Sequence, residues 1–137
     1  MLGDLVAEAS GQMSAVRVLP LSDKGEIRTE SSFVGSGHLL GIPIVDLGTF
    51  VQTLRSDGVL EVDEGNVLIT GPNGEKAHLN GFALGKPLGA GNSAHFASCG
   101  IMRTTAPHWK RLNEVAIVSE YDVDAQGKFT VRAWEWK

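Results

Sequence analysis

The sequence predicts an all-β fold: a single closed antiparallel barrel of about eight strands with one short helical segment. Turn sequences recur at the spacing typical of all-β proteins, and the runs between them are rich in β-branched and aromatic residues. Amphipathic helical periodicity is nearly absent, and glycines inside the runs favour a sheet that curls. We therefore predict one β-barrel domain spanning residues 1–137.

The predicted strands are bounded by turn sequences in which Gly or Asn accepts a positive φ, and Asp or Ser bonds its own backbone. These turns lie at residues 22–25, 56–58, 72–75, 86–91 and 124–127. The predicted strands are Val6–Leu19, Glu26–Leu40, Val45–Arg55, Val59–Thr70, Lys76–Leu84, Ser93–Thr104, Glu114–Asp124 and Lys128–Trp136.

Glycines fall inside these strands, among them Gly35, Gly37, Gly48, Gly81 and Gly100. Glycine weakens a flat strand because it adds backbone entropy and has no side chain to pack. It also lets a strand bend or bulge, as barrel closure requires. The glycines therefore favour a barrel over a flat sandwich.

One segment, Thr105 to Asn113, departs from the strand pattern. Thr105 is a candidate N-cap, Pro107 suits the first helical turn, and basic residues come late. We expect one or two helical turns. Either Trp109 and Leu112 plug one mouth of the barrel, or the segment is an ordinary crossover between neighbouring strands.

Charge and composition narrow the classes of partner. The net charge is -4 and the lysines and arginines are spread along the chain, which disfavours nucleic acids and anionic membranes as partners. No apolar run approaches the length of a spanning helix, about 18 residues. The start, Met1 to Ser10, lacks a basic signal-peptide region, and Cys99 is the only cysteine. We expect a cytoplasmic protein.

Several short motifs carry a family resemblance across the whole chain. They are Gly37-His38-Leu39-Leu40-Gly41, Asp46-Leu47-Gly48-Thr49, Arg55-Ser56-Asp57-Gly58, Leu112-Asn113 and Trp134-Glu135-Trp136-Lys137. The sequence resembles a family of small bacterial proteins of unknown function whose members look like allene oxide cyclase, an eight-stranded barrel related in shape to the calycins. The resemblance implies the barrel and no activity, because only its shape is shared with the plant cyclase.

Candidate ligand-binding groups lie on the fifth and sixth strands. His78 and Asn80 share one face of the fifth strand, and His95 and Arg103 share one face of the sixth. The apolar residues on the same faces are Phe82 and Leu84, and Ala97, Cys99 and Ile101. If these line the interior, the four polar groups form the polar end of a pocket that holds a carboxylate or enolate. The alternative is that they meet solvent or bond a neighbouring loop.

Two further candidates lie on the last two strands. An inward Glu135 needs a cationic partner such as Arg103 or Arg132, or its pKa rises and it becomes a candidate base. The alternative is a solvated Glu135 beyond the packed region. Tyr121 either presents its hydroxyl to a ligand or is a core residue with its oxygen at the rim.

The remaining features bear on association and on metals. Trp134 and Trp136 share the face opposite Val131. If that face is outside, they form an apolar strip that suits a homo-oligomer contact, unless another segment covers them. We expect Cys99 to be a buried, inert thiol. The four histidines, His38, His78, His95 and His108, are scattered, so we expect no metal site and no cofactor.

Two functional hypotheses stay open at this point. The first is a small-molecule-binding barrel for a small apolar or carboxylate ligand, an architecture suited to a cofactor-free isomerase or cyclase. The second is a non-catalytic structural or interaction protein with a filled interior. A cavity of about 300 Å³ or more would favour the first.

Overall fold

Eight antiparallel strands close into a barrel in the computed structural model, which describes residues 1–137. Each strand pairs with its neighbours in the chain, and the first strand pairs with the last. The strands are β1 (Leu2–Val18), β2 (Ile27–Leu39), β3 (Ile42–Leu54), β4 (Leu60–Thr70), β5 (Lys76–Pro87), β6 (Ala94–Thr104), β7 (Ala116–Val123) and β8 (Lys128–Trp136). The predicted all-β barrel is confirmed. No helix has the length and hydropathy needed to cross a membrane.

The turns use the glycines that the sequence indicated. Positive φ angles occur at Gly25, Gly58, Gly74 and Gly127, each in a predicted turn. The β2–β3 hairpin is tighter than expected, because Leu40 (φ 49°) and Gly41 (φ 78°) form its two-residue turn. Two successive positive φ angles suit the right-handed twist of a hairpin, and a leucine there is unusual.

The strand glycines allow close packing on the inner face. Gly81 and Gly100 lie directly opposite each other on β5 and β6. A methyl group at Gly81 would lie 2.5 Å from the carbonyl oxygen of Cys99, and one at Gly48 would lie 2.1 Å from the ring of Phe33. Neither position has room for a side chain, so these glycines permit the curvature and the packing of the lumen.

A 3-10 helix at Pro107–Glu114 connects β6 to β7. Its N-cap residue is Ala106, which forms no side-chain capping hydrogen bond, so the predicted Thr105 cap is wrong. The segment is fixed instead by Asn113, whose side chain accepts from the Thr104 amide at 2.8 Å and donates to the Thr104 carbonyl at 3.0 Å. This side-chain bridge ties the last turn of the helix to the end of β6.

Trp109 and Leu112 of this helix have no exposed surface and plug one end of the barrel, as predicted. The Trp109 indole donates to the Leu39 carbonyl at 3.2 Å. Every strand contributes a buried residue to the cluster around them: Val6, Leu39, Ile44, Ile69, Ala77, Met102, Ile117 and Ala133. Each of the larger side chains in this cluster stabilises the fold by about 1.5–3 kcal/mol through its burial.

A second cluster fills the other half of the lumen and is largely aromatic. Its members are Phe33, Phe50, Val62, Ala94, Phe96, Val123 and Phe129. The rings of Phe33 and Phe129 meet edge to face with centroids 5.1 Å apart. Such contacts add about 0.5–1.5 kcal/mol beyond burial. The interior thus has two packed layers, one at each end.

Candidate functional site

A cavity of about 160 Å³ lies in the lumen and is lined by residues from both clusters. Its walls are mostly apolar, and several inward side chains remain only partly buried, among them Leu79, Ala83 and Val131. An apolar cavity of about 150 Å³ is large enough to hold benzene. The lumen is therefore not completely filled by side chains. Its cavity is smaller than the volume of about 300 Å³ that would favour a ligand pocket.

Asp46 of β3 is a carboxyl group inside this mostly apolar cavity. It lies opposite Gly35 of β2 and Ile69 of β4, and only 7% of its surface is exposed. Its Oδ1 atom is buried and has no hydrogen-bond partner. Burial raises the pKa of Asp46, because the carboxylate loses hydration, and a bond to its own backbone amide offsets this in part.

Tyr121 of β7 also lines the cavity, and its hydroxyl is buried without a hydrogen-bond partner. Its ring is held by aromatic neighbours, with centroids 5.2 Å from Phe96, 5.8 Å from Phe129 and 6.2 Å from Phe50. Burial, and then the charge of Asp46, raise the pKa of Tyr121. The phenol therefore stays protonated at neutral pH and is available as a hydrogen-bond donor.

The other polar side chains facing the cavity satisfy each other. Ser98 of β6 and Ser119 of β7 lie directly opposite each other, and their hydroxyls are hydrogen-bonded. Asp46 and Tyr121 are thus the side chains in this cavity that carry buried, unpartnered polar atoms. Together they offer a phenol donor and a carboxyl group that acts as donor or acceptor according to its protonation.

The structure places four predicted site residues, His78, Asn80, His95 and Arg103, on the outside of the barrel, so their predicted inward orientation is wrong. The neighbours that were expected to line the interior are outside too: Phe82 is 59% exposed and Ile101 is 50% exposed. The inward faces of β5 and β6 instead carry Ala77, Leu79, Gly81 and Ala83, and Phe96, Ser98, Gly100 and Met102. The predicted alternation along β5 and β6 agrees with the structure, but the predicted inward face is the outward one.

Outside the barrel these residues have local partners or line a groove. Asn80 donates to the Gly65 carbonyl and to Asn66 Oδ1, both at 3.2 Å. His95 Nδ1 lies 2.6 Å from Asp122 Oδ1. His78 and Arg103 are direct cross-strand partners and line an outer groove of about 550 Å³ with Lys76.

Glu135 is buried at the end of β8 and has cationic partners, so the alternative of a solvated side chain is wrong. Its partners are Arg111 Nη1 at 2.8 Å and Lys137 Nζ at 3.3 Å, rather than the anticipated Arg103 or Arg132. Burial raises the pKa of Glu135, but the Lys137 and Arg111 cations outweigh it and hold that pKa below its usual value. Glu135 is therefore ionised at neutral pH and acts as a structural anion.

Sequence reasoning missed Asp46 as a site residue, although a signal was present. Aspartate is disfavoured in strands, and this one alternates with Ile44, Gly48 and Phe50 on one face of β3. A charged residue on the apolar face of a strand has to be paired, neutralised or functional. The signal was weak, because the opposite face of β3 carries Val45, Leu47 and Val51 and is at least as apolar.

Comparison with solved structures identifies three bacterial proteins of the same fold. A protein of unknown function from Clostridium acetobutylicum ATCC 824 is 13% identical (TM-score 0.82), with 98% of each chain covered. A β-barrel-like protein from Acinetobacter baumannii AYE is 16% identical (TM-score 0.82), covering 100% of this chain and 96% of that one. A conserved protein of unknown function from Rhodopseudomonas palustris is 14% identical (TM-score 0.78), with 99% of each chain covered.

No family model and no curated protein sequence matches the chain. The likeness to the three structures therefore shows the fold alone, at identities where function does not transfer. It supports the barrel over the full length of the chain.

Proposed function

We propose that the barrel lumen binds a small, largely apolar molecule that carries one oxygen group. The observation that carries this proposal is the pair of buried, unpartnered polar atoms, Asp46 Oδ1 and the Tyr121 hydroxyl, in one apolar cavity. A buried polar group without a partner costs about 1–3 kcal/mol, so an unsatisfied pair in a lumen needs an explanation. A ligand oxygen between them supplies it.

The cavity sets the size and chemistry of the ligand. A volume of about 160 Å³ suits a single ring with a short substituent. A ligand hydroxyl would accept from Tyr121 and donate to an ionised Asp46, whereas a carbonyl would accept from Tyr121 and from a protonated Asp46. A carboxylate ligand fits less well, because it would bring a second negative charge beside Asp46.

The same pair suits proton-transfer chemistry without a cofactor. A carboxyl group with a raised pKa serves as a general acid or base nearer to neutral pH than an ordinary aspartate does, and a phenol stabilises a developing oxyanion. Within this proposal the protein is a cofactor-free isomerase or cyclase that acts in the cytoplasm. The proposal also includes an allene oxide cyclase-like type of barrel, and the closed eight-stranded sheet with its lumen supports that part.

Three probes with one carbon skeleton test the binding proposal. Ethylbenzene has no oxygen, acetophenone adds a carbonyl, and 1-phenylethanol adds a hydroxyl. We expect saturable amide chemical-shift changes at lumen residues, with at least one oxygenated probe binding more tightly than ethylbenzene. Tyr121→Phe should weaken the oxygenated probes about 5-fold, the worth of one neutral hydrogen bond, and leave ethylbenzene unchanged. His78→Gln, on the outer face, is the matched control.

The alternative hypothesis is a non-catalytic structural or interaction protein. It predicts no saturable binding of any of the three probes up to their solubility limits. It also predicts that Ala83→Leu, which extends a side chain into the cavity, stabilises the fold and changes nothing else. Either an absence of binding or binding that survives Ala83→Leu unchanged would refute the lumen site.

A further inference from the structure

The outer face of the barrel carries a continuous apolar area across five strands, β5 to β8 and β1. Cross-strand partners in antiparallel sheets point to the same side, so the pairings define its rows. This outer apolar patch has three rows. The first row is Leu84 and Ala97, the second is Phe82, Cys99, Val118, Trp134 and Leu5, and the third is Ile101, Ala116, Trp136 and Leu2.

Several large side chains of this patch are well exposed. The exposed fraction is 59% for Phe82, 54% for Leu84 and 53% for Trp136. The alternative that the 3-10 helix or the first strand covers the tryptophans is not met for Trp136, and Trp109 of that helix is turned inward. Trp134 is half-buried, with the Arg132 guanidinium 5.4 Å from the centroid of its ring. Single exposed apolar residues are normal, but a contiguous set over five strands marks an interaction surface.

The patch has the dimensions and layout of an interface core. Five strands about 4.8 Å apart and three rows about 7 Å apart make it roughly 20 Å by 20 Å. A stable interface buries about 800 Å² on each partner, with an apolar core and a polar rim. An area of roughly 400 Å², before side-chain relief is counted, supplies such a core and leaves the rim to surrounding polar residues.

The relief and the rim both suit a second copy of the same chain. Strands β6 and β7 carry mostly smaller outward side chains, Ala97, Cys99, Ala116 and Val118, with Ile101 as the exception, and they lie between ridges formed by Phe82 on β5 and Trp136 on β8. A two-fold mate can seat one ridge in the partner's trough and receive the other in return. Glu120 and Arg132 border the patch as direct cross-strand partners, so the rim carries both signs and does not repel a copy of itself.

From this relief, size and rim we propose that two copies of the chain associate through the outer apolar patch. The inference is independent of the lumen proposal, because the patch and the cavity lie on opposite faces of the same strands. It also places an exposed free thiol, Cys99, inside the contact. That thiol, which was expected to be buried, reports on the contact directly.

Sedimentation at protein concentrations from 1 to 200 μM tests the proposal. We expect a mass of twice 14.6 kDa for the unmodified protein. Phe82→Asp should weaken association at least 100-fold, since a charge then enters the interface core. Leu47→Asp is the matched control: Leu47 is 56% exposed on β3, on the far side of the barrel, and its substitution should leave the dimer intact.

Cys99 provides a second readout that does not require a substitution. Its reaction with a thiol reagent should be slow in the dimer, at least 10-fold faster on dilution to the monomer, and fast at every concentration in Phe82→Asp. Coupling a bulky maleimide to Cys99 at low concentration should prevent association. A monomer at 200 μM, a larger ring, or a dimer in which Cys99 reacts as fast as in the monomer would overturn the proposal.

Discussion

The carboxyl group of Asp46 should destabilise the folded protein when it ionises, and Asp46→Asn should remove that cost. Because burial raises the pKa of Asp46, the unfolded chain releases this proton at a lower pH than the folded one. The contribution of the Asp46 carboxyl to stability is therefore fully present below its pKa in the unfolded chain. That contribution is lost as the pH rises through its pKa in the folded protein. Asparagine keeps the shape of the side chain and does not titrate.

The magnitude follows from the surroundings of the carboxylate. Its Oδ1 atom is buried without a partner, and an unsatisfied buried polar atom costs about 1–3 kcal/mol. We therefore expect Asp46→Asn to gain stability relative to the unmodified protein as the pH rises. The difference in their free energies of unfolding should be about 1–3 kcal/mol larger at pH 7 than at pH 3. For a chain of this size each kcal/mol corresponds to a shift of about 4 °C in Tm.

Urea denaturation followed by tryptophan fluorescence, at pH values from 3 to 8, measures this difference. Asp63→Asn is a suitable control, since that carboxylate is exposed on β4 and forms no ion pair. The measured quantity is the free energy of unfolding of Asp46→Asn minus that of the unmodified protein. The reasoning fails if this difference is smaller at pH 7 than at pH 3, or if it does not vary with pH. Equal slopes against urea would show that the unfolded states are comparable.

Three further perturbations probe the frame around the site. Glu135→Gln should lower stability at pH 7 and lower it less in acid. The pKa of Glu135 is held down in the folded state, so the stabilisation by its carboxylate is lost as the pH falls through its pKa in the folded protein. Denaturation at pH 7 and pH 3 measures the loss of stability. Trp109→Ala should cost about 3–5 kcal/mol in the free energy of unfolding, since the indole is wholly buried; a loss below 1 kcal/mol would contradict its role as the plug. Gly81→Ala should destabilise by more than 1 kcal/mol, because its methyl group would meet the Cys99 carbonyl at 2.5 Å, whereas Gly65→Ala, with 3.3 Å to its nearest neighbour, should cost less.

The strands and most turns could be predicted from the sequence because each depends on local chemistry. Glycines at Gly58, Gly74 and Gly127 mark turns where positive φ is needed, and alternation marks the strands between them. The β2–β3 turn was less visible, because Leu40 adopts a left-handed φ that its residue type does not announce. Its conformation is imposed by the hairpin and not by local preference.

The side of the sheet that faces the lumen could not be read from hydrophobicity. On β5 the inward residues Gly81 and Ala83 are small: a Cβ at Gly81 would meet the Cys99 carbonyl of the neighbouring strand, and Ala83 lines the open part of the lumen. The outward residues, such as Phe82 and Leu84, are large because they belong to the outer apolar patch. The more hydrophobic face is thus the outer one, and the rule that apolar residues face inward pointed the wrong way.

The order of strands in the barrel has a consequence for how the chain folds. Seven of the eight pairings join strands that are consecutive in the sequence, so each costs little loop entropy. The pairing of β1 with β8 alone brings together segments more than a hundred residues apart, and its register is interrupted between Leu2 and Ala7. Formation of this seam sets the contact order of the fold, and we expect it to be the slow step by which a preformed meander becomes a barrel.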